Sequence, residues 1–259
     1  MALNVTHMRR FFRQQAGWVW NRQAQAFTHG LSLQEETLTE MLLLQIAKRG
    51  AQDGLKVKMF SRAEESINGA DWEWFFRTPE CGIGFRIQAK RLYRNENAEG
   101  RYGGLKKASS QADDLINQSG SNNPIYVFYN HSWTLDSQSR FWGNDYEFRG
   151  PSMWGCSVAK ASFVRSVGDN KIAKLHSGML PWHKLFDGPS KCPVAGAFDD
   201  MRGEGELTYA ERDPDWLGDL NEAGSADRYL AEHNLQGVAH FDFSDFRPPE
   251  RDPDILYQG

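Results

Sequence analysis

The chain lacks most of the features that place a protein in a class. Its three cysteines, Cys81, Cys156 and Cys192, stand far apart in 259 residues with no CxxC pair. That argues against a zinc module and against a disulfide framework. The longest apolar run, Met41–Leu44, is far short of the roughly 20 residues that cross a bilayer. No secretory leader is visible, so a soluble cytoplasmic protein with no membrane partner is expected. There is no GxxxxGK[ST] loop, which excludes the usual ATP-driven motor. Ser132, Ser177 and Ser190 lie in no GxSxG elbow, so a hydrolase triad has no support. His176 and His183 flank SGMLPW with no further ligand at metal spacing. No internal repeat, low-complexity tract or linker divides the chain, which reads as one domain over residues 1–259. The net charge of −4 gives no global pull toward nucleic acid.

What is present is an ordinary globular balance, 40% apolar and 25% charged. Nine tryptophans and sixteen phenylalanines suit either a packed aromatic core or a surface that stacks on bases or sugars. The second choice predicts that Trp72 and Trp74 are exposed.

Periodicity orders the first half. Residues 4–28 step at three and four (Met8, Phe11, Phe12, Gln15, Trp18, Val19) and predict a helix. Ser32 and Glu35 have capping-box spacing before a second helix over about 33–49. LKVKMFS (55–61), ADWEWFFR (70–77) and IGFRIQAKRLY (83–93) alternate as strands, with TPECG as the turn between the last two. A helix over 105–118 and a continuously apolar strand, PIYVFYN (124–130), follow. Helix, three strands, helix, strand predicts an α/β core over about 31–130. The N-terminal helix precedes it, and an irregular α+β extension covers about 131–259. Within that extension 154–167 reads as helix, 175–186 as a turn and short helix, and 237–246 as a strand.

The middle strands carry the chemistry. If the turn centres near Pro79 and Glu80, Asp71 lies opposite Gln88. Asp71, Glu73, Gln88 and Lys90 then project to one face, and Trp72, Trp74, Phe76, Phe85 and Ile87 to the other. Charges on central strands are costly unless paired, solvated or metal-bound. A carboxylate beside other oxygen donors suits Mg²⁺ or Mn²⁺. A lysine two residues along the strand can hold a water or a phosphate oxygen. These are the parts that metal-assisted phosphodiester hydrolysis requires.

GAD (69–71) followed one strand later by QAK (88–90) resembles the PD-(D/E)XK, or restriction-endonuclease-like, nuclease superfamily, in its Mrr-like QxK variant. The stretch from EETLTE through ESINGADWEW to IQAKRL also resembles an uncharacterised bacterial nuclease-like family linked to phage defence. The resemblance covers about residues 31–130. It implies a Mg²⁺-dependent endonuclease acting on DNA, with double-stranded DNA as partner, a possible homo-oligomer and a role in antiviral defence. It places Asp71, Gln88, Lys90 and Glu36 in the catalytic site, with Asp71, Gln88 and Glu36 on the metal. Glu73 and Glu65 are possible additional acids, and Gln111 supports the site from the following helix. Arg91, Arg94, Arg101, Lys106 and Lys107 form the basic patch that would contact phosphates. Two features depart from the family pattern. No proline precedes Asp71, and the neutral Gln88 must borrow charge from another acid. A catalytically weak nucleic-acid-binding or assembly module on the same fold is the competing expectation.

Overall fold

A computed structural model describes residues 5–53, 56–59, 71–94, 100–105, 108–131, 151–186, 192, 194–219, 225–233 and 235–242. Two long helices open the chain: α1 (Val5–Thr28) and α2 (Glu35–Asp53). Then come β1 (Lys56–Met59), β2 (Trp72–Arg77), β3 (Gly82–Arg94), β4 (Gly100–Tyr102), α3 (Ala108–Asn117) and β5 (Asn123–Tyr129). The second half adds β6 (Cys156–Lys160), α4 (Ala161–Val167), α5 (Ile172–Leu175), β7 (Leu180–Pro181), α6 (Ala195–Asp200), α7 (Asp215–Asp219), α8 (Ser225–His233) and β8 (Gly237–Asp242).

The fold is mixed α/β around one sheet in the order β1-β8-β2-β3-β5-β6-β7, with β4 paired to the far end of β3. This corrects the expected meander of three consecutive strands. β8 enters between β1 and β2, antiparallel to the first and parallel to the second. The supposed C-terminal extension therefore supplies three strands of the same sheet, one of them beside the central hairpin. A second correction concerns 154–167. Cys156–Lys160 is a fully buried strand, and helix begins only at Ala161. A short apolar run flanked by helix does not reveal its period, and burial on both faces removes the alternation that marks a strand.

The β2–β3 hairpin follows its sequence pattern. Trp72 pairs with Ile87 and Trp74 with Phe85. The turn is closed by Thr78, whose N–H donates to the Cys81 carbonyl at 2.8 Å. Trp72, Trp74 and Phe76 pack into one core layer with Phe12 of α1, Leu38 and Leu42 of α2, Trp182 and Phe241. Trp72 is 2% and Trp74 1% exposed, which removes the reading in which they stack on a sugar. Helix α1 turns one stripe (Met8, Phe12, Ala16, Val19) toward this layer. The Trp182 indole N–H donates to the Phe12 carbonyl at 2.6 Å. On the opposite face Phe75, Tyr126, Phe128, Ala112, Leu115, Val164 and Leu230 form the second layer, under α3, α4 and α8. Each fully buried large apolar side chain contributes about 1.5–3 kcal/mol, so both layers hold the hairpin rigidly.

Cys81 in the hairpin turn is bonded to Cys192, 111 positions away, while Cys156 is a buried free thiol. This corrects the expectation of no disulfide. Spacing does not report which cysteines meet across a fold. No helix among the described residues is long and apolar enough to cross a membrane.

Candidate active site

β2 begins at Trp72, whereas its partner β3 runs on to Arg94. Beyond the level of Asp71 the second half of β3 has no β2 beside it. The first turn of α2 lies there instead. The result is a cleft of about 440 Å³ lined by Gln34, Glu35, Glu36, Lys90, Arg91, Tyr93, Gly103 and Gly104.

Asp71 stands opposite Gln88, as the turn position requires. The Gln88 amide nitrogen donates to Asp71 Oδ2 at 2.8 Å, and the Ala89 backbone N–H donates to the same oxygen at 2.6 Å. No donor among the described residues meets Oδ1. Burial pushes the Asp71 carboxyl up to about 7. Lys90 opposes that rise, and the neighbouring Glu35 and Glu36 add to it.

Lys90 is 5% exposed and belongs to a central strand between β2 and β5. Its ammonium donates to Glu35 Oε1 at 3.3 Å, and the Arg91 backbone N–H donates to Glu35 Oε2 at 2.8 Å. Burial raises the Glu35 carboxyl above its usual range, offset in part by Lys90 and by that N–H. The acid that touches the lysine is thus Glu35. Glu36, the residue expected from the sequence, lines the same cleft with no hydrogen-bond or ion-pair partner among the described residues.

Glu73 shares the face but is committed elsewhere. Arg86 donates to Glu73 Oε1 at 2.7 Å and the Tyr229 hydroxyl donates to Oε2 at 2.9 Å. Arg86 also donates to the His233 carbonyl. Both oxygens of Glu73 are closed by a buried ion pair that ties α8 to the hairpin. Gln111 of α3 comes near Lys90 at Gly104: a Cβ there would lie 3.6 Å from Gln111 Oε1 and 3.7 Å from Lys90 Nζ. Gly104 has φ +72°, a conformation few other residues adopt. Arg91 donates to Ser32 Oγ at 2.9 Å at the rim of the cleft. Arg101 donates to Asn170 Oδ1 at 3.4 Å. Glu65, Lys106, Lys107 and the side chain of Arg94 lie outside the described residues.

A protein-family profile described as a family of unknown function, DUF6615, matches residues 8–248. The chain belongs to this family. No curated protein and no solved structure matches it. The DUF6615 match spans the whole sheet, from α1 through β8, and so takes in every residue of the cleft.

In this DUF6615 chain one level of the sheet is polar across four neighbouring strand positions. Gln236 lies beside Asp71 and donates its N–H to the Asp71 carbonyl at 2.6 Å. Asp71 faces Gln88, and Gln88 pairs with Tyr126. Gln236 Oε1, Tyr126 Oη and Gln111 Oε1 are buried without a hydrogen-bond partner among the described residues. Sequence reasoning missed Gln236 and Tyr126. Gln236 is remote in the chain and enters only because β8 inserts beside β2. Tyr126 lies in an apolar run that masks its hydroxyl.

Asp71, Glu35 and Glu36 feel one another's charge and that of Lys90, and Glu35 and Glu36 also act on Arg91. Among the described residues no group of three or more His, Cys, Asp or Glu side chains is placed to hold a metal ion by itself.

Proposed function

We propose that this protein is a metal-dependent nuclease that hydrolyses phosphodiester bonds of DNA, on a restriction-endonuclease-like core. One observation carries the reading. A buried lysine on a central strand meets an acid from α2 at the head of a cleft, one level from an aspartate whose carboxyl burial has raised. Three elements of the fold support the core assignment. They are the β2–β3 hairpin, α2 across the end of that hairpin, and β5 parallel to β3 after α3.

Asp71, with Glu36 or Glu35, would hold Mg²⁺ or Mn²⁺. The ion would acidify a bound water and neutralise phosphate charge. The chain's own groups do the remaining work. The Ala89 N–H and the Gln88 amide fix the orientation of Asp71 through Oδ2, and Oδ1 has no donor among the described residues. Lys90, held by Glu35, orients the attacking water and offsets the charge that develops on the phosphate. Gln111 lies near Lys90 at Gly104 without a hydrogen bond to it. Glu73 has no role in the chemistry, because both its oxygens are used by the ion pair with Arg86 and by Tyr229.

Gln88 favours one competing reading, a binding or assembly module without strong catalysis. Its amide nitrogen, not its oxygen, faces Asp71, so Gln88 acts here as a donor to the carboxylate. A cation beside Asp71 would favour the turned-over amide. Plasmid incubated with Mg²⁺ or Mn²⁺ and wild type, Asp71→Ala or Lys90→Ala separates the two. Cleavage by wild type alone supports the nuclease; equal residual cleavage by all three contradicts it. A place in defence against foreign DNA follows from the family resemblance alone.

A further inference from the structure

β3 and β4 form a short ribbon at the rim of the cleft, and its register sorts side chains by face. Tyr93 pairs with Arg101, and the Gly103 N–H donates to the Arg91 carbonyl at 3.3 Å. Arg91, Tyr93, Arg101 and Gly103 therefore share one face. The glycine leaves a bare corner. Among the described residues, a Cβ added to Gly103 would meet only the Tyr93 ring, at 3.7 Å. The ring thus forms one wall of an open slot whose floor is backbone. Lys90 and Arg91 line the same cleft.

Resting on the nuclease reading above, we propose that this slot takes one unpaired nucleotide, its base against the Tyr93 ring over Gly103 and its phosphate toward Arg91 and Lys90. The substrate class is then single-stranded DNA, or a splayed end or flap, in place of the continuous duplex that the family resemblance implies.

Three arguments favour this occupant. In a duplex both faces of each internal base are stacked, so a protein ring can lie on a base only when that nucleotide is unpaired. The cleft, about 440 Å³, is of the size that holds one small planar ligand. Its charge also argues against tracking a duplex. Lys90 and Arg91 are balanced by Glu35 and Glu36 in the same lining. Duplex binders commonly neutralise about 6–10 phosphates with uncompensated cations. Among the described lining residues, affinity then rests on stacking and a divalent ion.

The test measures binding of a fluorescent single-stranded oligonucleotide and its duplex, with Ca²⁺ replacing Mg²⁺. Single strand should bind more tightly than duplex. Tyr93→Ala should weaken single-strand binding about tenfold, while Tyr93→Phe keeps it, since the ring and not the hydroxyl does the stacking. Gly103→Val should weaken it by filling the slot. The salt dependence should be shallow, with a log–log slope of about −1 to −2 for two phosphate contacts. Duplex binding as tight as single-strand binding, Tyr93→Ala equal to wild type, or no binding of either overturns the inference. If wild type binds single strands through Tyr93 yet cleaves nothing with Mg²⁺ or Mn²⁺, this inference stands and the nuclease reading fails. If wild type cleaves duplex as fast as single strand and Tyr93→Ala changes neither, the nuclease reading stands and this one fails.

Discussion

Glu35 reaches from the first turn of α2 to Lys90 on β3, its Oε1 3.3 Å from the ammonium and its Oε2 2.8 Å from the Arg91 N–H. Two contacts on one carboxylate fix both the lysine and the strand that carries it. Glu36, the next residue, reaches neither. Glu35→Ala should therefore release Lys90 and lower cleavage about a hundredfold, the size expected when one preorganised electrostatic group is lost. Glu36→Ala should leave Lys90 in place and mainly raise the metal concentration required. Cleavage rates across a Mn²⁺ titration measure the two effects separately.

Asp71 gives the site a pH signature. Its folded-state value of about 7 exceeds the ordinary 3.8. Between those values the folded protein holds a proton that the unfolded chain has released. Its contribution to stability is therefore present below about pH 4 and lost as pH rises through 7. A cation reverses that loss by favouring the carboxylate. The rise in denaturation temperature produced by Mn²⁺ should be larger at pH 8 than at pH 6, with proton release on binding near pH 7. Calorimetry in two buffers of different ionisation enthalpy reads the proton count. The Asp71→Asn variant should show neither effect.

Glu73 and Arg86 make the opposite prediction from Asp71. Their side chains are only 2% and 3% exposed and 2.7 Å apart. Removing one partner leaves a buried charge uncompensated, so Glu73→Ala should destabilise the fold by about 3–5 kcal/mol. Denaturant unfolding checks this. Where the variant remains folded, its cleavage rate per folded molecule should match wild type.

The Cys81–Cys192 bond closes a long loop whose ends are 111 positions apart. Loop-closure entropy of that length corresponds to about 4–5 kcal/mol in the chain-entropy account. Peptide mapping without reductant should recover the 81–192 pair, with Cys156 protected from alkylation until the protein unfolds. A reductant should lower the unfolding midpoint. Three alkylatable thiols in the folded, unreduced protein would contradict the pairing.

The hairpin was legible because its signals are local. Alternation gave the faces of β2 and β3, and the position of Pro79 and Glu80 set the register that brings Asp71 to Gln88. The helices α1, α2 and α3 were legible from their apolar stripes. What was hidden is long-range. Nothing in GVAHFD announces that it will lie parallel to β2, so Gln236 stayed invisible as a neighbour of Asp71. Glu35 and Glu36 both fit a helix N-terminus, and only the direction in which α2 meets β3 decides which of them touches Lys90. Glu73 alternates correctly with Asp71, yet Arg86 and Tyr229 remove it from the site. Periodicity assigns a face; it does not say which groups on that face are already paired.

The central claim is that Asp71, Glu35 or Glu36, and Lys90 form one cation-dependent hydrolytic centre. Diffraction from a Mn²⁺-soaked crystal, read at the manganese absorption edge, tests it most directly. The account predicts an anomalous peak in the cleft touching Asp71 and an acid of α2, with Lys90 beside it, and no such peak in Asp71→Ala. A cleft without a peak at saturating Mn²⁺, or a peak that persists unchanged in Asp71→Ala, would contradict it.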